Sequence, residues 1–318
     1  MADETPGQRD SDSDPDYDSA NEIEHDEDHD DGLHDPHVDP LIGRVVGGCR
    51  LEEQLGVGDN GLLYRGTHQG MGMKVVIRLI PQSLPGFRAS QIERFLRSGR
   101  AMAKLNLPHV VRVFNVGCED DLNFVVMDYI DGQNLKQLLE EQGALDLEVA
   151  LEVIEQVLQA LEAAHSQAVI HRDIKPSSVL LEGMDGDGAS VKLADLGLAK
   201  FNLTDEAEEG GPVTISGTMM GEASYIAPEQ AQDAKNVTFS ADIYSVGCVL
   251  YEMVTGQKPY SAKSAVQVML MHVQAKVPKA SDIVPELDSR VVRVIRKMMA
   301  KKPASRYESA TEALRAVR

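Results

Sequence analysis

Hydrophobic and polar positions change their rhythm once along the chain. From Arg44 to about Gly132 the apolar residues come in short alternating runs, CRLEEQLGV, LLYRGTH, KVVIRLI, VVRVFNVG and LNFVVMDYI, which is the period of half-buried strands. One interruption, about Gln91 to Leu105, places Ile92, Phe95, Met102 and Leu105 on one helical face. Ser90, followed three residues later by Glu93, predicts a capping box at its start. Beyond Gly132, Ala150, Val153, Ile154, Val157, Leu158 and Leu161 recur at three and four, with Asp146 as N-cap. A loop-rich stretch from about Ile170 to Gln230 comes next, then a helix from about Ala241 to Thr255 closed by Gly256. The pattern predicts an α+β chain: a β-rich lobe over 44–132 with one helix, and a larger, mostly helical lobe over 133–318. A long irregular segment inside a compact domain is more often functional than idle.

Charge changes the picture at one end. The formal net charge is −20, but residues 1–40 hold 16 Asp and Glu against the single Arg9, leaving about −5 for the rest. Such a segment has almost nothing apolar to bury and cannot offset its ordering entropy, so a disordered acidic tail is expected over 1–40. Its charge disfavours nucleic acid as a partner. His25, His29, His34 and His37 lie among carboxylates and could gather divalent metal weakly; a solvated acidic tail is the simpler reading. Cys49, Cys118 and Cys248 have no metal-ligand spacing and are assigned no chemistry. No run reaches the roughly 18 apolar residues of a membrane helix. The N-terminus is acidic where a signal peptide is basic, so the expectation is an intracellular, cytoplasmic chain without a membrane span.

Candidate chemistry begins with Leu55-Gly56-Val57-Gly58-Asp59-Asn60-Gly61, set between two strand-like runs, where glycines let a hairpin backbone approach phosphates. An ordinary turn would also use them. More specific is His171-Arg172-Asp173-Ile174-Lys175-Pro176, followed 22 residues after Asp173 by Asp195-Leu196-Gly197 and then by Ala227-Pro228-Glu229. On these motifs residues 44–318 resemble the protein kinase family, specifically bacterial eukaryotic-like (Hanks-type) serine/threonine kinases. The resemblance implies a bilobal kinase fold with ATP and Mg2+ as cofactors and a protein as substrate or regulated partner. It implies that Asp173 accepts the substrate hydroxyl's proton, Lys175 meets the γ-phosphate, and Asp195 holds magnesium. Gly56, Gly58 and Gly61 would cover the phosphates. Asp128 and Ile130 would offer hinge backbone groups to adenine, beside Met127 as gatekeeper and with Leu180 beneath the ring. Asp242 would hold the catalytic-loop backbone, Gly247 would stand at a structural position, and Glu229 would pair with Arg306.

Four of the family's charged or polar fixtures are altered, and one apolar position besides. The third-strand lysine is Arg78, in Val75-Val76-Ile77-Arg78, and Val76 adds bulk beside the adenine position. A planar guanidinium and a compact ammonium are not interchangeable at a tight phosphate site. The helix glutamate that pairs with that lysine falls on Ser98, counting back from Leu105-Asn106-Leu107-Pro108. Glu93, about 140° round the helix, does not replace it. The catalytic-loop asparagine is Ser178, left as a shorter candidate metal ligand, and a bracing threonine before Ala-Pro-Glu is Glu222. The helix is therefore expected to be held by Phe95 and Met102 packing, with Arg78 turned toward Asp195. Thr204, Thr214, Ser216 and Thr218 are candidate phosphorylation sites near Arg172.

Three functions are compatible with this pattern: an ATP-binding pseudokinase or weak kinase acting through a partner, an active serine/threonine kinase that tolerates Arg78 and Ser178, or an acidic interaction protein carried by the domain. Bacterial relatives often continue past a last helix such as ESATEALRAVR into a membrane span and a sensor, so the resemblance leaves open whether this chain is a piece of a longer, membrane-anchored protein.

Overall fold

Alternation sets the first layer. β4 (Lys74–Pro81) buries Val75, Ile77 and Leu79 on one face, while the intervening Val76 and Arg78 come up on the other, toward a cleft. The computed structural model describes residues 39–58, 61–82, 89–183, 190–196, 223–233 and 236–318. The expectations for residues 1–38 with their four histidines, for Asp59, Asn60 and Gly197, and for Thr204, Thr214, Ser216, Thr218 and Glu222 lie outside them.

β4 sits inside a six-stranded antiparallel sheet with β1 (Val45–Val46), β2 (Cys49–Gly58), β3 (Gly61–His68), β5 (Val113–Glu119) and β6 (Leu122–Asp128). The order is β1-β2-β3-β4-β6-β5. Val46, Cys49, Leu51, Tyr64, Val75, Ile77, Leu79, Phe124 and Val126 form a core on one face. On the other lies α1 (Ala89–Met102), burying Phe95, Gly99 and Met102. Gly99 is the close-approach point: a Cβ there would sit 2.9 Å from a methyl of Val125 and 3.1 Å from one of Val116. The capping box expected at Ser90 is absent, because the helix already contains Ser90, whose carbonyl accepts from Arg94, and Glu93 is instead paired with Arg97 one turn on at 2.7 Å.

The remaining elements form the helical lobe. β7 (Gly132–Asn134) leads into α2 (Leu135–Gln142) through a capping box between Asn134 and Gln137. α3 (Leu147–Ser166) buries the anticipated stripe, with Asp146 at its N-cap making no side-chain cap bond. Among the described residues after it, β8 (Val179–Glu182) pairs with β7 on one side and β9 (Ser190–Leu193) on the other in a three-stranded sheet. Then come α4 (Pro228–Gln232), α5 (Ser240–Thr255), α6 (Ala265–Gln274), α7 (Ser289–Met298) and α8 (Ala310–Val317). α5 is apolar nearly all round and central. Gly256 ends it in the left-handed conformation at φ +66°, and Gly247 lets α7 close in, since a Cβ there would meet that of Met298 at 2.6 Å. Among the described residues no helix is long and apolar enough to cross a membrane.

Candidate active site

Between the sheet and the helical lobe lies a cleft of about 330 Å³, with Leu55, Leu63, Val76, Val111, Met127 and Leu180 as apolar walls. Of the residues singled out from sequence, Arg78, Asp128, Ile130, Leu180 and Asp195 line it. Gly56 and Gly58 belong to β2 above it, and Gly58 pairs with Gly61 at the start of β3. Gly61, at φ +99°, has a local reason to be glycine, because a Cβ there would collide with the Leu79 carbonyl oxygen. The amides Gln133, Asn134 and Gln137 on the rim escaped the sequence reading; the Asn134 and Gln137 cap at the start of α2 was their one local signal.

Asp242 holds the loop beginning at His171 from beneath. Fully buried in α5, its carboxylate accepts the backbone N–H groups of His171 at 2.9 Å and Arg172 at 2.8 Å, and faces His165 Nε2 at 2.8 Å. That clamp holds Arg172 at φ +71°, a left-handed conformation non-glycine residues seldom adopt. His171 spans to the next segment: Nε2–H donates to the Ala194 carbonyl at 2.9 Å, while Nδ1 accepts from the Asp173 N–H at 3.3 Å. Asp195 comes next at φ +59°. Gln230 of α4 donates to the Arg172 carbonyl at 2.8 Å. Burial of Arg172 pulls its guanidinium below the ordinary arginine range, against the pull of Asp242.

The charged groups pair in two sets. Lys175 Nζ sits 2.7 Å from Asp173 Oδ2. Arg78 Nη2 donates to Asp195 Oδ1 at 2.6 Å, both side chains being largely buried at 12% and 19% exposure. Ser98 is half-buried and is no partner to Arg78. Arg78 Nε is buried without a hydrogen-bond partner among the described residues. Ser178 does not face the cleft as a metal ligand would: 1% exposed, its hydroxyl accepts from the Lys175 N–H at 3.1 Å and donates to the Lys175 carbonyl at 2.8 Å. A short hydroxyl satisfies itself on the nearest backbone, which a longer amide at that position need not do. The two residues assigned to magnesium thus fit it poorly, one holding a guanidinium and the other a loop.

Glu229 and Arg306 meet as the resemblance implied, in a bidentate pair of 2.5 and 2.7 Å. Arg306 spends its other donors on the carbonyls of Ala300, Ser240 and Lys301.

Residues 49–317 match the protein kinase domain family. The chain is 34% identical over 275 residues to a probable serine/threonine-protein kinase of Clostridium perfringens, covering 86% of this chain and 38% of that protein. It is 35% identical to the kinase PknH of Mycobacterium tuberculosis, over 86% of this chain and 42% of that one. With PrkC of Bacillus subtilis the identity is 35%, over 70% and 32%. The chain therefore spans less than half the length of these relatives. The kinase domain of Mycobacterium tuberculosis PknI superposes with a TM-score of 0.67 at 24% identity, covering 88% of this chain and 98% of that domain, a likeness of fold. With the loop at His171, its buried clamp and the cleft in this arrangement, the chain belongs to the protein kinase family, within the bacterial serine/threonine branch.

Proposed function

We propose that this chain binds ATP in the cleft between its lobes and transfers the γ-phosphate weakly or not at all, acting in cytoplasmic signalling through a partner protein. The observation that carries the reading is the Arg78–Asp195 contact with Ser98 at the helix position: the sheet cation is drawn to Asp195 because α1 offers it no carboxylate at position 98. Protein kinases use ATP with Mg2+, and phosphoryl transfer depends on positioning and charge neutralisation, so binding and chemistry separate when alignment is lost. Hinge, apolar walls and Arg78 serve binding. Asp173 is the remaining group to take the proton of a substrate hydroxyl, with Lys175 beside it. If two charge-assisted contacts worth about 1.5–3 kcal/mol each are missing, the rate falls about 10²- to 10⁴-fold.

The test is nucleotide binding alongside autophosphorylation and transfer to a generic protein substrate. Binding without transfer is expected. Arg78→Lys combined with Ser98→Glu should raise residual transfer more than the two single changes together, because the groups act as a pair. Transfer by the unaltered chain at roughly 1–100 per second, lost in Asp173→Asn, would overturn the reading and leave an active serine/threonine kinase.

A further inference from the structure

The cation at Asp195 comes from the protein. Arg78 lies mid-strand in β4, paired in register with Leu63 on one side and Val125 on the other, so its backbone cannot withdraw from the cleft. Its side chain reaches Asp195, 117 positions away, and makes a 2.6 Å charge-assisted bond in a largely buried setting. Magnesium would have to take that carboxylate oxygen at about 2.0–2.1 Å in an octahedral shell. The second oxygen it would look for, at Ser178, is held between the N–H and carbonyl of Lys175. Meanwhile the guanidinium has five N–H donors and Asp195 accepts one of them, while Nε is buried and has no partner among the described residues. A guanidinium matches phosphate oxygens better than an ammonium does, and its permanent positive charge is more weakly hydrated.

We propose that Arg78 stands in for the divalent cation, neutralising Asp195 and meeting the phosphates of the bound nucleotide, so that a nucleoside triphosphate binds with an affinity that Mg2+ does not raise. This rests on the nucleotide-binding reading above.

The experiment is titration of the full chain with a fluorescent ATP analogue, displaced by unlabelled ATP, in EDTA and again in excess Mg2+. The two dissociation constants should agree within about twofold, and Arg78→Lys should weaken binding in EDTA while gaining a Mg2+ enhancement of about fivefold or more. Asp195→Asn, which keeps the shape, should stay Mg2+-independent. Tightening of the unaltered chain by about tenfold or more in Mg2+, lost in Asp195→Asn, would overturn the inference and leave nucleotide binding standing. Absence of binding in both buffers, with circular dichroism showing a folded chain, would overturn the nucleotide-binding reading and this inference with it.

Discussion

Replacing Glu229 by alanine should be among the costlier single losses of a charge in the helical lobe. The reason is where its partner lies. Arg306 has a side chain of 0% exposure and five N–H donors, all spent: two on Glu229, three on the carbonyls of Ala300, Ser240 and Lys301. Without Glu229 the guanidinium keeps its charge in a buried site with two donors unmet, and breaking one side of such a pair costs about 3–5 kcal/mol. In a domain of this size that lowers the melting temperature by roughly 10 °C. Arg306→Met removes the charge as well, but strands three carbonyls, and Glu229, at 19% exposure, can partly rehydrate. The double variant Glu229→Ala with Arg306→Met should therefore be little worse than Arg306→Met alone, giving a coupling energy near 3 kcal/mol. The chain has no tryptophan, so urea unfolding is best followed by far-ultraviolet circular dichroism. A Glu229→Ala cost below about 1 kcal/mol, or singles that simply add, would refute the reasoning.

Three other outcomes are expected. Asp242→Ala strands the N–H groups of His171 and Arg172, and should lose about 3 kcal/mol or more by urea unfolding; a loss under about 1 kcal/mol would show the loop holding itself. Gly99→Val should push α1 off Val116 and Val125 at a cost of about 1–3 kcal/mol, checked by thermal unfolding, and a neutral result would mean the helix has room to slide. His272 is fully buried, donating from Nε2 to the Ser224 carbonyl and accepting the Tyr244 hydroxyl at Nδ1, and burial with Lys301 nearby pulls its pKa down from 6.5 to about 4. The unfolded chain takes up that proton first, so stability is complete above about pH 6.5 and falls by up to about 3 kcal/mol as pH drops toward 4, a slope that His272→Gln should flatten in acid titrations of unfolding.

What could be read from sequence divides by the reach of the interactions. Strand alternation in β4 and the helical stripe of α3 are local and were legible, as was Gly256 closing α5. The Glu229 and Arg306 pair and the Asp242 clamp were legible only through motif resemblance, since nothing local in Ala227-Pro228-Glu229 says which arginine it meets 77 residues later. Two readings gave way to nearer partners, and one contact left no signal. Ser90 and Glu93 have capping-box spacing, but Arg97 sits one turn beyond Glu93 and captures it, and the helix begins at Ala89. Ser178 was a plausible metal ligand by residue type, yet a hydroxyl three residues from a loop carbonyl closes on it. Gly99 left no mark in the hydrophobic pattern, although it sets how near α1 comes to the sheet.

These misreadings share a physical cause that also explains the cleft. A residue type gives the bonds a side chain can make; competition for the nearest unsatisfied partner decides which it does make. In the kinase pattern the third-strand cation is shared between a helix carboxylate and the phosphates. Here Ser98 removes the first claimant, so the attraction of Asp195 is unopposed and Arg78 crosses to it. α1 then rests on the sheet through the buried Phe95, Gly99 and Met102, an apolar seam without direction, while the sheet is tied ionically across the cleft to Asp195. Such a seam holds the helix by packing and gives it no charged bond to the strand cation. Movement of α1 in this chain therefore has no direct grip on the cation in the cleft, and a partner that shifts α1 can alter the outer surface of the small lobe while leaving the Arg78–Asp195 pair in place.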